Sequence, residues 1–109
     1  MINLKPRYLE IVKRILADHV PEFDVSAFGS RVNSKVKEFS DLDLVVMTTQ
    51  PLPVRRLRRL VEAFSESNLP IKVDVVDWAA TDESFRAIIR QGMEVVQKSA
   101  ENQKIGKKE

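Results

Sequence analysis

The feature that most constrains this chain is a pair of short motifs, Gly29-Ser30 and Asp41-Leu42-Asp43, separated by the ten residues 31–40. The first motif follows Phe23–Phe28, where side chains alternate as in a short strand. The second opens an apolar run, Leu42–Met47, of the length of a buried central strand. A strand, a glycine turn, a short helical connector and a second strand can bring the turn and both carboxylates together.

The remaining elements follow from hydrophobic periodicity. Apolar side chains at helical spacing predict helices over 6–19 and 54–67, and a third that begins at Thr81 or Asp82 and ends at Gly92. Period-two alternation predicts a strand over 71–78, and residues 93–97 are expected to form a short edge strand or an extended segment. The chain is therefore expected to alternate between strands and amphipathic helices that cover the sheet.

The Gly29-Ser30-Arg31 segment has the composition of a phosphate-binding turn. Several N–H groups converge where a turn leads into a helix, and a glycine leaves their approach open. Ser30 would add a hydroxyl donor and Arg31 a positive charge. Taken alone, these three residues are more typical of an ordinary turn that ends a strand than of a ligand site.

Three carboxylates on two predicted strands suggest a divalent-metal site. Asp41 and Asp43 are two residues apart, so they project from one face at a separation of roughly 7 Å. Such hard oxygen ligands suit Mg²⁺ or Mn²⁺. A two-metal mechanism requires a third carboxylate, for which Asp74 is preferred over Asp77, because Asp77 would point to the opposite face of the strand. The alternative is that these aspartates are ordinary polar residues at strand ends.

Composition limits the chain to one domain. The 109 residues are 43% hydrophobic, which suits a single core. From Lys98 onward there are four lysines and two glutamates, so residues 1–97 balance at 14 basic and 14 acidic side chains. We expect a folded domain over 1–98 and a disordered basic tail over 99–109. Cysteine, a long apolar run and the apolar region of a signal peptide are absent, so a soluble cytoplasmic protein is expected.

Two charged features of the sequence have structural explanations that require no catalytic or binding role. His19 falls at the end of the first predicted helix, where a partly cationic imidazole complements the helix dipole, and no catalytic partner for it is visible. Arg55, Arg56, Arg58 and Arg59 lie off the apolar stripe of the second predicted helix. They are interpreted as a solvated face, with an acidic partner or nucleic acid as the alternatives.

The spacing Gly-Ser, ten residues, Asp-x-Asp resembles the minimal nucleotidyltransferase family of the DNA polymerase beta-like superfamily. The resemblance extends to residues 73–77 and 85–92. It implies an α+β fold, a small mixed sheet of about four strands with helices packed on one face. It also implies that Gly29 and Ser30 hold nucleotide phosphates, with Arg31 beside them. By the same likeness Asp41 and Asp43 bind two Mg²⁺ ions, and Asp74 binds one of them and helps to activate the acceptor hydroxyl.

The resemblance further implies a function and a partner. Members of this family resemble antitoxins that are paired with HEPN-domain toxins. Some of these antitoxins transfer AMP from ATP to a tyrosine of the toxin. This chain departs from many relatives at Asn33 and Ser34, where a second basic residue and a second glycine are usual; Lys35 or Lys37 could compensate. The leading hypothesis is thus a Mg²⁺-dependent nucleotidyltransferase that acts on a HEPN-type partner. The alternatives are an inactive nucleotide-binding module that neutralises its partner stoichiometrically and, less favoured, a nucleic-acid-binding protein.

Overall fold

The computed structural model describes residues 2–32 and 41–100, which form three α-helices and a four-stranded sheet. In chain order the elements are α1 (Pro6–His19), β1 (Val25–Phe28), β2 (Leu42–Val46), α2 (Val54–Ser65), β3 (Val73–Asp77), α3 (Glu83–Arg90) and β4 (Met93–Gln97). Single turns of 3-10 helix follow β1 at Gly29–Arg31 and β3 at Trp78–Ala80. The helical connector predicted between the two motifs falls largely in residues 33–40, outside the described residues.

The sheet is mixed, as predicted. Its strand order is β3-β2-β1-β4, so β2 lies in the interior and β4 at an edge. Strand β1 pairs antiparallel with β2 and with β4, whereas β2 and β3 are parallel. The predicted bounds of α1 and β4 are the observed ones. Strands β1 and β3 begin two residues later than predicted, and β2, α2, β3 and α3 end one or two residues earlier. Beyond the end of α2, the Ser67 hydroxyl donates to the Phe64 carbonyl at 2.6 Å.

Alternation along the strands divides the core between the two faces of the sheet. On one face the main core joins side chains of α1, α2 and all four strands. In β2, Leu42, Leu44 and Val46 point into this core, while Asp43 and Val45 point to the opposite face. The opposite face therefore carries both the carboxylate and a smaller apolar cluster.

The expectation that the helices lie on one face applies to α1 and α2 but not to α3. Ile89 of α3 is buried with Phe28 and Val45 in the smaller cluster, on the face opposite the main core. The third helix is short and is capped by Asp82, whose carboxylate accepts the Phe85 N–H at 2.9 Å. Because Ile89 is the one buried residue of α3, this helix covers only part of that face within the described residues.

The two residues that follow the predicted domain boundary at residue 98 form hydrogen bonds with the rest of the fold. The Ser99 N–H donates to the Asp24 carboxylate at 2.6 Å, and the Ala100 N–H donates to the Pro21 carbonyl at 2.9 Å. These bonds attach the chain to the domain through Ala100, and the rest of the predicted tail lies outside the described residues. Among those residues, no helix is long and apolar enough to cross a membrane.

Candidate functional site

The candidate site is built around Asp43, the second residue of β2. Asp43 is opposite Phe28 of β1 in the antiparallel register and opposite Asp74 of β3 in the parallel register. Residues opposite each other on paired strands project from the same face, and paired strands are about 4.8 Å apart. The sheet therefore places the Asp43 and Asp74 carboxylates side by side, on the face that α3 only partly covers.

Gly29 lies directly against Asp43, because it follows Phe28, the antiparallel partner of Asp43. Its φ angle is 81°, a conformation that residues with a Cβ rarely adopt. A Cβ at this position would also come within 2.6 Å of Asp43 Oδ2. The backbone conformation and the close approach to the Asp43 carboxylate thus both favour glycine at this position.

The environment of Asp43 disfavours its charge. Burial raises the pKa of Asp43, and the negative charges of Asp74 and Asp41 raise it further. Asp41 is exposed, one residue before β2 begins. No cation among the described residues pairs with Asp43. A carboxylate held beside others without a counter-charge is an arrangement that a bound cation would stabilise.

Asp74 has a weak ion-pair partner. Lys72 Nζ lies 3.5 Å from Asp74 Oδ1, and the two side chains are 72% and 41% exposed. Lys72 immediately precedes β3, two residues before Asp74. Its ammonium group is therefore beside the Asp74 carboxylate but remains largely in solvent.

Asp43 and Asp74 provide only part of the ligand set that a metal ion needs. In the part of the chain that the structure describes, no three Asp, Glu or His side chains already converge as a group able to hold a metal ion. The Asp43–Asp74 pair nevertheless fits Mg²⁺, which is typically bound by one or two carboxylates together with substrate phosphates. The turn at Gly29 approaches this ligand set so closely that a Cβ there would come within 2.6 Å of Asp43 Oδ2.

Arg31 has a contact that the sequence did not indicate. It is 5% exposed, its guanidinium donates to the Asn3 carbonyl at 2.7 Å, and its own carbonyl accepts the Asn3 N–H at 2.8 Å. Ser30 lies between Gly29 and Arg31 in the same turn. Asn3 is 28 residues away in sequence, so no local pattern could have revealed that the turn is fastened to the N-terminal segment.

Asp77 is separated from the site. It is 7% exposed, on the opposite face of β3 from Asp74, and its carboxylate accepts the Leu52 N–H at 2.6 Å and the Thr48 hydroxyl. Thr48 Oγ1 in turn accepts the Ala79 N–H at 3.0 Å. Asp77 thus fixes the segment between β2 and α2, which is a structural role.

An aromatic cluster next to the site was also missed. The Phe28 and Phe85 rings pack edge to face, with centroids 6.0 Å apart. Trp78 lies 5.0 Å from the guanidinium carbons of both Arg86 and Arg90, and its carbonyl accepts two N–H groups of Arg86. The apolar cluster beneath α3 therefore borders the carboxylate pair on the same face of the sheet.

Comparisons with known proteins match this fold. A family model described as "Polymerase beta, Nucleotidyltransferase" matches residues 10–101. The chain is 51% identical over 96 residues to a Haemophilus influenzae protein named probable protein adenylyltransferase MntA, covering 88% of this chain and 84% of that relative. A crystal structure of a toxin–antitoxin with AMP-PNP has the same fold, with a TM-score of 0.70 and 18% identity over 89% of this chain and 78% of that chain. The tri-AMPylated Shewanella oneidensis HEPN toxin in complex with MNT antitoxin gives a TM-score of 0.60 and 16% identity over 89% and 78% of the two chains.

Proposed function

Because this chain belongs to the polymerase beta nucleotidyltransferase family, we propose that it is a Mg²⁺-dependent adenylyltransferase that transfers AMP from ATP to a hydroxyl of a partner protein. The proposed partner is a HEPN-type toxin, which makes this chain the antitoxin of the pair. The name of the 51% identical relative and the AMPylated toxin among the structures of the same fold support this proposal. We also propose that the protein acts in the cytoplasm, where ATP is available.

The observation that carries the proposal is the convergence of Gly29, Asp43 and Asp74. The turn after β1 would hold the nucleotide phosphates, with backbone N–H groups as donors and no Cβ in their way. Asp43 and Asp74, with Asp41 at the entrance, would hold Mg²⁺. Bound Mg²⁺ would neutralise phosphate charge as a Lewis acid and orient the triphosphate.

The acceptor would approach from the open side of this face. Its hydroxyl oxygen forms a bond to the α-phosphorus while the bond to the bridging oxygen breaks and pyrophosphate leaves. Asp74 would receive the hydroxyl proton, a role supported by its position on the edge strand β3 and its partial exposure. Arg31, which the sequence suggested as a phosphate ligand, would act indirectly, by fastening the turn to Asn3.

The test is transfer of a label from ATP to a purified HEPN-type partner. ATP labelled at the α-phosphate should label the partner, whereas ATP labelled at the γ-phosphate should not. Asp43→Asn and Asp74→Asn should each lower the rate by about a hundredfold or more, because each removes a carboxylate that would hold the metal. Glu10→Gln, on the exposed surface of α1, is the matched control and should leave the rate unchanged. Equal labelling by parent and Asp43→Asn would show that the site is misassigned.

A second candidate function is neutralisation by binding alone. It is favoured by the burial of Arg31 against Asn3, which removes one predicted cation from the phosphate turn. Calorimetry separates the two candidates. Mg²⁺-dependent ATP binding that Asp43→Asn abolishes supports the enzyme, while tight partner binding without any ATP binding supports the binding module.

A further inference from the structure

The surface of α2 carries a concentration of positive charge that the proposed enzyme does not use. Arg55, Arg56, Arg58 and Arg59 occupy four of the first six positions of this helix. We call these four residues the arginine face. Helix α2 packs on the main core, on the sheet face opposite Asp43 and Asp74, and it begins beyond the far end of β2 from those residues. The arginine face is therefore remote from the nucleotide site.

One of the four arginines is fixed by the fold. Arg56 pairs with Glu22 at 2.5 Å, donates to the His19 carbonyl at 3.1 Å, and lies 5.5 Å from the centroid of the Phe23 ring. The hydrogen bond from Arg56 also lowers the pKa of Glu22. Arg56 thus joins the start of α2 to the C-terminal end of α1.

The other three arginines do not join α2 to the rest of the described fold. Arg55, Arg58 and Arg59 are exposed and make no ion pair or hydrogen bond within residues 2–32 and 41–100. Arg55 and Arg59 are four residues apart on the helix, where like charges repel. The first turn of α2 contains no acidic residue, and positive charge near a helix N-terminus opposes the helix dipole. These side chains are therefore unfavourable for the isolated fold and available to a partner.

A cavity lies beside them. Its volume is about 340 Å³, and it is lined by Asp18, His19, Pro53, Arg55, Arg56 and Arg59. Three guanidinium groups and one carboxylate thus border a recess between the C-terminal end of α1 and the N-terminal end of α2. The guanidinium fork pairs with carboxylates in a bidentate geometry.

We propose that the arginine face and this cavity form a docking site for an acidic segment of a partner protein. An acidic peptide alternates carboxylates with backbone N–H groups, so its carboxylates can pair with the arginines while an N–H donates to Asp18. Asp18 repels the phosphates of a nucleic acid as it repels the carboxylates of a peptide, but the peptide backbone supplies an N–H donor at nearly every residue whereas the phosphate backbone supplies none. It would also gain little from stacking, because Arg56 already covers the Phe23 ring. The site does not depend on nucleotide chemistry.

Fluorescence anisotropy with a labelled peptide in which Asp and Glu alternate with Ser tests the proposal. The double variant Arg55→Gln/Arg59→Gln should weaken binding about tenfold or more, because it removes both unpaired guanidinium groups at the cavity. The control Lys13→Gln/Arg14→Gln removes the same charge from the exposed face of α1 and should change the affinity by less than about twofold. A peptide with Asn and Gln in place of Asp and Glu should not bind.

Three results would overturn the proposal. The intact protein could fail to bind the acidic peptide, or the two double variants could lose affinity equally, which would indicate a dependence on net charge alone. A labelled single-stranded oligonucleotide could bind more tightly than the peptide, which would assign the face to nucleic acid. Thermal unfolding of Arg55→Gln/Arg59→Gln should occur at the parent temperature or above, so misfolding cannot explain a loss of binding. Its Mg²⁺-dependent ATP binding should remain unchanged, which keeps this test separate from that of the nucleotide site.

Discussion

Asp43 and Asp77 lie on neighbouring parallel strands, yet their surroundings are opposite. Asp77 is buried and accepts hydrogen bonds from the Thr48 hydroxyl and the Leu52 N–H. Asp43 pairs with no cation within residues 2–32 and 41–100, and its pKa is raised by burial and by the negative charges of Asp74 and Asp41. A buried carboxylate with donors stabilises a fold, whereas one placed beside other carboxylates costs free energy until a cation binds.

The two faces of the sheet differ in the same way, because one has a structural role and the other carries the candidate site. The face covered by α1 and α2 holds the main core. The face of Asp43 is only partly covered by α3, and its carboxylates remain accessible. The same strands thus supply a rigid support on one face and an electrostatically unfavourable site on the other. Substitutions at the two aspartates should consequently change stability in opposite directions.

Asp77→Ala should give the largest loss of stability. It leaves the Leu52 N–H and the Thr48 hydroxyl without their acceptor and loosens the segment before α2. The free energy of unfolding should fall by about 2–4 kcal/mol, the range for losing two hydrogen bonds to a buried charged acceptor. Urea denaturation measures this change. If Asp77→Ala unfolds at the parent midpoint, the assignment of Asp77 as a structural residue is wrong.

Gly29→Ala should affect both stability and function. The positive φ angle and the 2.6 Å approach of a Cβ to Asp43 Oδ2 together predict a loss of about 1–3 kcal/mol. The strain falls on the turn proposed to hold phosphate, so ATP binding should be lost under conditions where the variant is still folded. Gly92→Ala is the matched control, because its Cβ would find its nearest neighbour, Val32, at 3.9 Å. Comparable losses in both variants would contradict the special role of Gly29.

The local elements of this fold could be predicted from the sequence because their signals are local. Pro6 and the apolar stripe define α1, and a continuous apolar run defines β2. The placement of Asp74 on the opposite face of β3 from Asp77 followed from strand geometry alone. The sequence also related Gly29 to Asp43 through their spacing, and the antiparallel register supplies the physical reason.

The contacts that sequence could not supply are those between distant segments. Arg31 was predicted beside the phosphates, but its pairing with Asn3 depends on how the N-terminal segment folds back. The hydrogen bond from the Leu52 N–H to the Asp77 carboxylate depends on the path of the loop between β2 and α2. The position of α3 on the second face could not be read from its apolar stripe, because such a stripe identifies a buried side without specifying which face of the sheet buries it.

Asp43→Asn should slightly stabilise the protein. Because the folded pKa of Asp43 exceeds the unfolded value, folding is penalised when the carboxyl is ionised. At neutral pH the variant should gain about 0.5 kcal/mol, a modest value because Asp43 is partly exposed and solvent screens the repulsion. The gain should shrink as the pH falls through the folded pKa and vanish below the unfolded one. Denaturation of parent and variant across this range measures it, and a variant less stable than the parent at neutral pH would contradict the proposed strain.

Lys72→Met should have the smallest effect and tests whether the carboxylate face is truly uncompensated. The Lys72–Asp74 pair is 3.5 Å long between side chains that are 72% and 41% exposed, so its removal should change stability by less than about 0.5 kcal/mol. The change should disappear at high salt, which screens exposed pairs. The double variant with Asp74→Asn provides the interaction energy by difference. A coupling well above about 1 kcal/mol would mean that Lys72 already neutralises the site, and the contrast between Asp43 and Asp77 would then reflect hydrogen bonding alone.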